Sequence, residues 1–529
     1  MTREIFYLTT PIYYINDVPH LGHAYTTVNS DFVCRFRRMQ GRKVHFLTGT
    51  DEHGEKVLRT AEAKGLAPKA WADEIVPRWT EVWKALDVSN DDFIRTTEAR
   101  HEAPVQKFVQ DLYDKGEIYL GTYEGLYCVG CEQFKLPDEL VDGKCPLHGT
   151  EPEAVKEDNY FFRLSQYADR LIEWYEGDER SVMPDARRNE VLGKVRQGLD
   201  DLSISRVSFD WGVPLPWDPK HVIYVWVDAL QNYITAVGYG SDDARFDEVW
   251  PADVHMVGKD ILWFHAVIWP AMLMAQGLPL PKTVFAHGFL QVGGEKMSKS
   301  KLTGISPYDL VSTFGSDGYR YYFVREMSFG QDGNFSWESM VDRYNVDLAN
   351  DFGNLASRVL SMAKRYLDGV VPDAPGEDEL TDADRALRET HAAALAGMAV
   401  AIDDLALHEA LKSAWTFVRR CNAYVEEVTP WALAKDDAQR RRLEVVLYVL
   451  LDSLRQLALM TAPITPRAAQ ELWSRLAMDG AVEAQTFESQ AGWGRLPAGA
   501  TVRPGDPLFP RLDEAADAGV PPSRPAPAP

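Results

Sequence analysis

Two short polar stretches, far apart in the chain, hold the residue types that can manage phosphate charge. The first is His20-Leu21-Gly22-His23. It follows the apolar run Ile5-Phe6-Tyr7-Leu8, which reads as a buried strand, and it opens a stretch in which Ala24, Val28, Phe32 and Phe36 recur at helical spacing. A strand, a sharp turn and a helix start aim backbone N–H groups and a positive dipole end at an anion. Gly22 lets a flat or phosphorylated ligand lie against the backbone. Taken alone, the stretch also fits a capped turn with surface histidines. The second stretch is Lys296-Met297-Ser298-Lys299-Ser300, after Gly293-Gly294. Two lysines three apart on a glycine-hinged polar loop suit a mobile clamp for a triphosphate.

A third group has metal-ligand spacing. Cys128-x-x-Cys131 and Cys145-x-x-His148 are separated by 13 residues that include Pro137 and Asp142-Gly143. Two such knuckles can build a tetrahedral structural zinc site with no open position; unligated buried cysteines are the alternative. Polar residues Thr48-Gly49-Thr50-Asp51-Glu52-His53-Gly54 follow the strand-like Val44-His45-Phe46-Leu47, where ligands bind in an open parallel sheet. A capping turn before a helix from Glu55 fits them equally well.

Together, the histidine and lysine stretches resemble, without a substitution, the two signatures of class I aminoacyl-tRNA synthetases. The knuckle and several later segments resemble methionyl-tRNA synthetases in particular. The resemblance implies ATP and Mg²⁺ as cofactors with a structural Zn²⁺, and methionine, ATP and tRNA(Met) as partners. It implies phosphate contacts from His20, His23, Lys296 and Lys299, and ATP contacts from Gly22, Gly258, Asp260, Met297 and Ser298. A thioether pocket falls on Ile12, Tyr14, Trp226, Ala229, Leu230, Tyr233, Ile261 and His265, with Asp51 facing the substrate ammonium. Leu230 stands where some relatives carry proline. The anticodon readers correspond to Asn354, Arg358 and Trp431, and the zinc ligands to Cys128, Cys131, Cys145 and His148, where relatives more often end the second knuckle in cysteine. Homocysteine, the awkward competitor, is expected to be rejected by cyclisation of its adenylate in the synthetic site. A different class I synthetase and a catalytically silent tRNA-binding scaffold are the competing readings. The first would favour a cysteine-held zinc in the amino-acid pocket, and the second has no need of the histidines and lysines.

These residues need elements to place them. At 529 residues the chain is too long for one ordinary domain, and 45% apolar content with 15 Trp and 22 Phe supports sizeable cores. The expected fold is α/β: a Rossmann-type parallel-sheet catalytic domain with a zinc-knuckle insertion, followed by an all-α helical bundle. We expect the first catalytic half at 1–115, the insertion at 116–222 and the second half at 223–292. The lysine loop and stem-contact segment follow at 293–345, the anticodon bundle at 346–480, and a C-terminal extension at 481–529, disordered from about 515. Ile223-Tyr224-Val225-Trp226-Val227 and His255-Met256-Val257 read as strands, and Gly198 to Arg206 as a polar turn segment. Ile261, His265 and Trp269 fall four apart, on one helical face. Helices are expected at 348–367, 381–405, 408–427 and 440–460, with Trp431 in a turn between two of them.

The formal net charge of −23 argues against a general polyanion binder, so a tRNA partner requires a locally basic face. No run approaches 18 apolar residues, the start lacks a signal-peptide pattern, and five cysteines fit a reducing cytosol with a metal site. A cytoplasmic monomer is the expectation.

Overall fold

A computed structural model of the chain describes residues 5–131, 133–135, 139–146, 148–292, 295–296 and 306–512. The described chain divides into two compact units. One comprises Met1–Pro19, Val44–Glu81 and Asn90–His287; the other comprises His20–Lys43, Val82–Ser89 and Gly288–Pro529.

The first unit is built on a six-stranded sheet: β1 (Ile5–Tyr14), β2 (Lys43–Asp51), β3 (Asp92–Arg95), β4 (Val182–Met183), β5 (Val254–Gly258) and β6 (Val284–His287). The strand order is β3-β2-β1-β5-β6-β4. β1 runs parallel to β5, with Leu8 opposite Val254, β5 runs parallel to β6, and β2 runs parallel to β3. β1 reads as an apolar run because it is central and covered on both faces; Tyr7 and Leu8 are fully buried. From β1 the order grows toward β2 and β3 on one side and toward β5, β6 and β4 on the other. The reversal between β1 and β5 opens a crevice at the carboxyl ends of the strands. Tyr14, Asp51 and Gly258 close β1, β2 and β5 at that edge.

Between β3 and β5 the chain forms a second, antiparallel sheet from Ile118–Cys128, Gln133–Lys135, Glu153–Phe162 and Leu202–Ser203. Its central pair runs in register from Ile118 opposite Phe162 to Tyr127 opposite Glu153. The short β4 lies inside this stretch of sequence, yet it pairs in parallel with β6 at the edge of the first sheet.

Three local expectations are corrected. Of the run Ile223–Val227, only Ile223 is strand, as the end of Val222–Ile223; Val225–Leu230 is a helix, followed by a one-turn helix at Asn232–Thr235. A short apolar run does not distinguish a buried strand from a buried helix, and here a buried carboxylate, Asp228, anchors the helical form. The Gly198–Arg206 segment also contains two short strands, Leu202–Ser203 and Ser205–Arg206. The segment carrying Ile261 and His265 is not a regular α-helix. A 3₁₀ turn at Lys259–Ile261 leads through a π-helical Phe264–Ile268 into the α-helix Trp269–Gln276. Single π turns of this kind are frequent at functional sites.

The second unit opens with the helix Leu21–Met39, in which Ala24, Val28, Phe32 and Phe36 are all fully buried. It packs on the helix Pro307–Arg325, which bends at Gly315, where φ is +69°. A three-stranded sheet of Leu290–Val292, Glu295–Lys296 and Gly333–Phe335 lies in the same unit. The expected bundle is present as Asn354–Leu367, Asp382–Asp403, Leu407–Val428 and Arg440–Thr461, with π-helical Tyr344–Gly353 leading into the first of these. Short loops make consecutive helices antiparallel neighbours. Trp431 lies in a one-turn helix, Pro430–Leu433, rather than a bare turn. Phe487 donates its N–H to Met39 at 2.7 Å, which ties the extension to the end of the first helix. The expected disordered tail lies outside the described residues.

Candidate active site

In the first unit, an aromatic cluster forms at the carboxyl edge of the sheet. Trp226, on the short helix, stacks on Phe264 with ring centroids 3.8 Å apart, and it meets Tyr14 and His265 edge-on at 6.2 Å. His265 Nδ1 lies 2.9 Å from the carbonyl of Ile261, an acceptor, so Nδ1 carries the proton. Nε2 is then the lone-pair nitrogen and accepts from the Tyr233 hydroxyl at 2.7 Å. Burial pushes the His265 pKa down to about 4, against the opposing pull of the Ile261 bond, and the ring is neutral at physiological pH. The polar atoms of Tyr233 and His265 are therefore turned on each other. What remains is a soft, polarizable wall, to which Ile12, Ile261 and Leu230 add aliphatic surface in the same apolar cluster, with buried Ala229 beside Leu230. Beneath it, the Tyr7 hydroxyl donates to the carbonyl of Tyr233 at 2.7 Å, and Trp269 Nε1 donates to His255 Nε2 at 3.3 Å.

Asp51 closes β2 and is buried. Its neighbour Glu52 is held on all sides. Its carboxylate accepts from Arg95 at 2.6 and 2.9 Å, from Thr97 at 2.6 Å and from Thr50 at 2.7 Å, while its carbonyl accepts from Trp211 Nε1 at 2.7 Å. At the end of β5, a Cβ on Gly258 would sit 2.6 Å from Asp260 Oδ1, so only glycine permits that approach; Asp260 itself is exposed.

In the second unit, His20 and His23 form a reciprocal cap on the helix Leu21–Met39. His20 Nδ1 accepts from the Gly22 N–H at 3.0 Å, and His23 Nδ1 lies 3.3 Å from the His20 N–H. The rings stack with centroids 3.5 Å apart. With both Nδ1 atoms accepting backbone protons, each neutral ring carries its own proton on Nε2. The cap thus fixes the tautomer that can donate to an anion at a helix N-terminus. A Cβ on Gly22 would come within 2.9 Å of the His20 ring. Gln291 pairs with Lys296 in antiparallel register, but the Lys296 side chain, Met297, Ser298 and Lys299 lie outside the described residues.

The knuckle residues come together. One donor atom from each of Cys128, Cys131, Cys145 and His148 lies within 4.8 Å of all the others. Cys131 Sγ is 3.5 Å from Cys145 Sγ and 3.3 Å from His148 Nδ1, and Cys145 Sγ is 3.8 Å from that nitrogen. A tetrahedral zinc with its usual bond lengths sets these edges at about 3.8 Å between sulfurs and about 3.6 Å from sulfur to nitrogen. The donor set fits a structural metal. Gly130 makes room for it, since a Cβ there would meet His148 Cγ at 2.6 Å.

In the bundle, Asn354 and Arg358 lie one turn apart, and Arg358 pairs with Glu426 at 2.5 Å, near Trp431 in sequence.

The family model of class I tRNA synthetases (M) matches residues 6–151 and 137–360, and the anticodon binding domain of methionyl tRNA ligase matches 373–520. The chain belongs to the methionyl-tRNA synthetase family. It is 54% identical over 527 residues to the methionine–tRNA ligase of Streptomyces coelicolor, covering 97% of each chain. To the methionine–tRNA ligase of Caldanaerobacter subterraneus it is 48% identical, covering 97% of this chain and 79% of the relative. Among solved structures, Mycobacterium tuberculosis methionyl-tRNA synthetase in complex with methionyl-adenylate is similar at a TM-score of 0.92 and 42% identity, covering 96% of this chain and 100% of that one.

Two features of this synthetase escape a sequence reading. Phe264 backs Trp226, and buried His53 and His101 meet Asp228 of the short helix. The one available signal was Asp228 itself, a lone carboxylate in the run Val225-Trp226-Val227-Asp228-Ala229-Leu230.

Proposed function

We propose that this synthetase activates methionine with ATP and transfers the methionyl group to tRNA(Met), with the side chains in the roles that follow. A methionine carboxylate oxygen attacks the α-phosphorus of ATP, the bond to pyrophosphate breaks, and methionyl-adenylate forms. A terminal ribose hydroxyl of the tRNA then attacks the carbonyl carbon, AMP leaves, and the hydroxyl proton is lost to solvent. The protein positions reactants and stabilises charge; it supplies no nucleophile.

The slot of Ile12, Tyr14, Trp226, Ala229, Leu230, Tyr233, Ile261 and His265 is the observation that carries this reading. Sulfur–aromatic contacts are worth about 0.3–1.5 kcal/mol each, and an unbranched thioether exploits several at once. Asp51 takes the ammonium. His20 and His23 donate through Nε2 to the phosphates, Lys296 and Lys299 clamp them, and Gly22, Gly258, Asp260, Met297 and Ser298 hold the nucleotide. Mg²⁺ bound with ATP would supply neutralisation of phosphate charge. Asn354, Arg358 and Trp431 read anticodon bases, by stacking on the indole and by hydrogen bonds to base edges. On this reading residues 1–115 and 223–292 form the catalytic domain, 116–222 the insertion, 293–345 the lysine loop and stem contact, and 346–480 the anticodon bundle. The synthetase works as a monomer in the cytoplasm. Among the described residues, no helix is long and apolar enough to cross a membrane.

Amino-acid-dependent pyrophosphate exchange across all twenty amino acids tests the reading. Methionine alone should give a strong signal; exchange with another amino acid, or with none, would defeat it. The knuckle makes a separate prediction. Metal analysis should return about one zinc per chain, and Cys131→Ala should abolish it and leave the insertion open to proteolysis. Full zinc retention in that variant would remove Cys131 from the ligand set.

A further inference from the structure

Behind the methionine slot lies a charge cluster that the chemistry above does not use. Asp228 is fully buried on the helix Val225–Leu230. Its Oδ2 is 2.7 Å from His53 Nδ1, and its Oδ1 is 2.9 Å from His101 Nε2. A carboxylate only accepts, so both of those ring nitrogens carry protons. On its other edge, His101 Nδ1 sits 2.8 Å from the Thr235 hydroxyl. His53 Nε2 faces Glu102 at 3.7 Å, and its ring meets Trp211 edge-on.

His53 and Asp228 form an ion pair at neutral pH. For His53, burial disfavours the charged form. The Asp228 charge and hydrogen bond, helped by Glu102 and Asp51, outweigh it and raise the pKa to about 10. For Asp228, burial pushes upward, but the His53 charge and the bonds from both histidines bring it down to about 2. A buried ion pair is weak as a source of stability and strong as a source of definite geometry.

The geometry it defines joins two walls of one pocket. His53 sits two residues past Asp51 on the exit of β2. That exit is rigid, because Glu52 is fixed by Arg95, Thr97 and Trp211, and the Gly54 N–H returns to the Trp211 carbonyl at 3.2 Å. On the other side, Asp228 shares its helix with Trp226, Ala229 and Leu230. That helix has only six residues, too few to hold an orientation through its own hydrogen bonds. It must be anchored from outside, and the two imidazoles are the anchors.

We propose that Asp228 is a positioning residue for the amino acid. Through His53 it fixes the distance between the Asp51 carboxylate and the wall carried by Trp226, Ala229 and Leu230. That spacing sets the side-chain length the pocket accepts. The inference rests on the reading of this site as a methionine pocket.

The test is steady-state pyrophosphate exchange by full-length Asp228→Asn, normalised by active-site titration. Asparagine keeps the size of the side chain, but it offers one acceptor in place of a shared charge. The methionine KM should rise at least about tenfold, while the ATP KM stays within about twofold. Discrimination between methionine and ethionine, which differ by one methylene, should shrink several-fold. Thr235→Val, which removes the outer link to His101 along with a long 3.4 Å bond to the Asn232 carbonyl, should move the methionine KM in the same direction by about two- to threefold. It serves as the deciding variant if Asp228→Asn does not fold. A purely architectural role would give fewer active sites with unaltered KM values and unaltered ethionine discrimination, and that result overturns the proposal. Equal rises in both KM values overturn it too. Wild-type protein that exchanges with no amino acid would instead defeat the methionine reading and the inference along with it. Wild-type exchange with unchanged variant constants defeats the inference alone.

Discussion

His20→Asn is expected to slow methionine-dependent pyrophosphate exchange by about 10²–10³-fold while leaving the fold intact, the usual cost of losing one aimed donor to developing charge. His20 does two things at once. Its Nδ1 caps the helix Leu21–Met39 by accepting the Gly22 N–H at 3.0 Å, and this bond keeps the ring proton on Nε2. Asparagine is a strong N-cap residue whose Oδ1 takes the same backbone proton, but its amide does not extend as far as the imidazole Nε2. The substitution therefore separates the two roles. Thermal melting should move little in His20→Asn, whereas His20→Ala should lose both the donor and about 1 kcal/mol of capping. The methionine KM should change little in either variant, because the slot of Trp226, Tyr233 and His265 does not include this residue. Near-normal exchange by the asparagine variant would show that the ring serves only as a cap, and the phosphate role of His20 would have to be abandoned.

What the sequence made legible follows the range of the interactions involved. The helix Leu21–Met39 and the four bundle helices repeat their apolar residues with helical period over three or more turns, so local pattern carries them. The knuckle is legible because the chemistry of four ligands dictates residue type and spacing, and the turn at Asp142-Gly143, with φ values of +51° and +75°, is made from the residues that tolerate it. The helix Val225–Leu230 was hidden for the opposite reason. Its side chains are those of a strand, and what makes it helical is a carboxylate met by imidazoles from His53 and His101, more than a hundred positions away in sequence. The π turn at Phe264–Ile268 was invisible in the same way, since an apolar segment gives no local sign of an extra residue in the turn. The residues proposed for the methionine pocket could be named from a family pattern. The contacts that fix their rotamers, such as Tyr233 to His265 and Trp226 on Phe264, could not.

Long range also governs stability in the second unit, where Arg320→Met should cost about 3–5 kcal/mol, the penalty for breaking a fully buried ion pair from one side. Arg320 is completely buried. Its Nε donates to the Ile464 carbonyl at 3.0 Å, Nη1 to Leu86 at 3.1 Å, and Nη2 to Pro463 at 2.9 Å and to Asp31 at 2.6 Å. Asp31 lies in the middle of the helix that begins at His20 and also binds Arg35 Nε at 2.7 Å and Ser89. One guanidinium thus joins the signature helix, the end of the bundle and the Val82–Ser89 segment. Methionine fills the volume but leaves three carbonyls without their donor. Lysine should fare little better, because a single ammonium does not reproduce the planar fork. Burial disfavours the Asp31 carboxylate, but the Arg35 and Arg320 charges and the Ser89 bonds hold its pKa well below the ordinary 3.8. A depressed acid pKa stabilises the folded chain above the unfolded value and loses that contribution as the pH falls. The deficit of the variant should therefore be constant above about pH 5 and narrow below 3.8. Asp31→Asn combined with Arg320→Met should cost less than the two single deficits added together, since the second change removes a charge the first has already orphaned. Thermal melting and hydrogen exchange over residues 20–43 supply the measurements. A melting point within about 2 °C of wild type would mean that the pair contributes nothing, and that apolar packing alone holds the His20 helix in place.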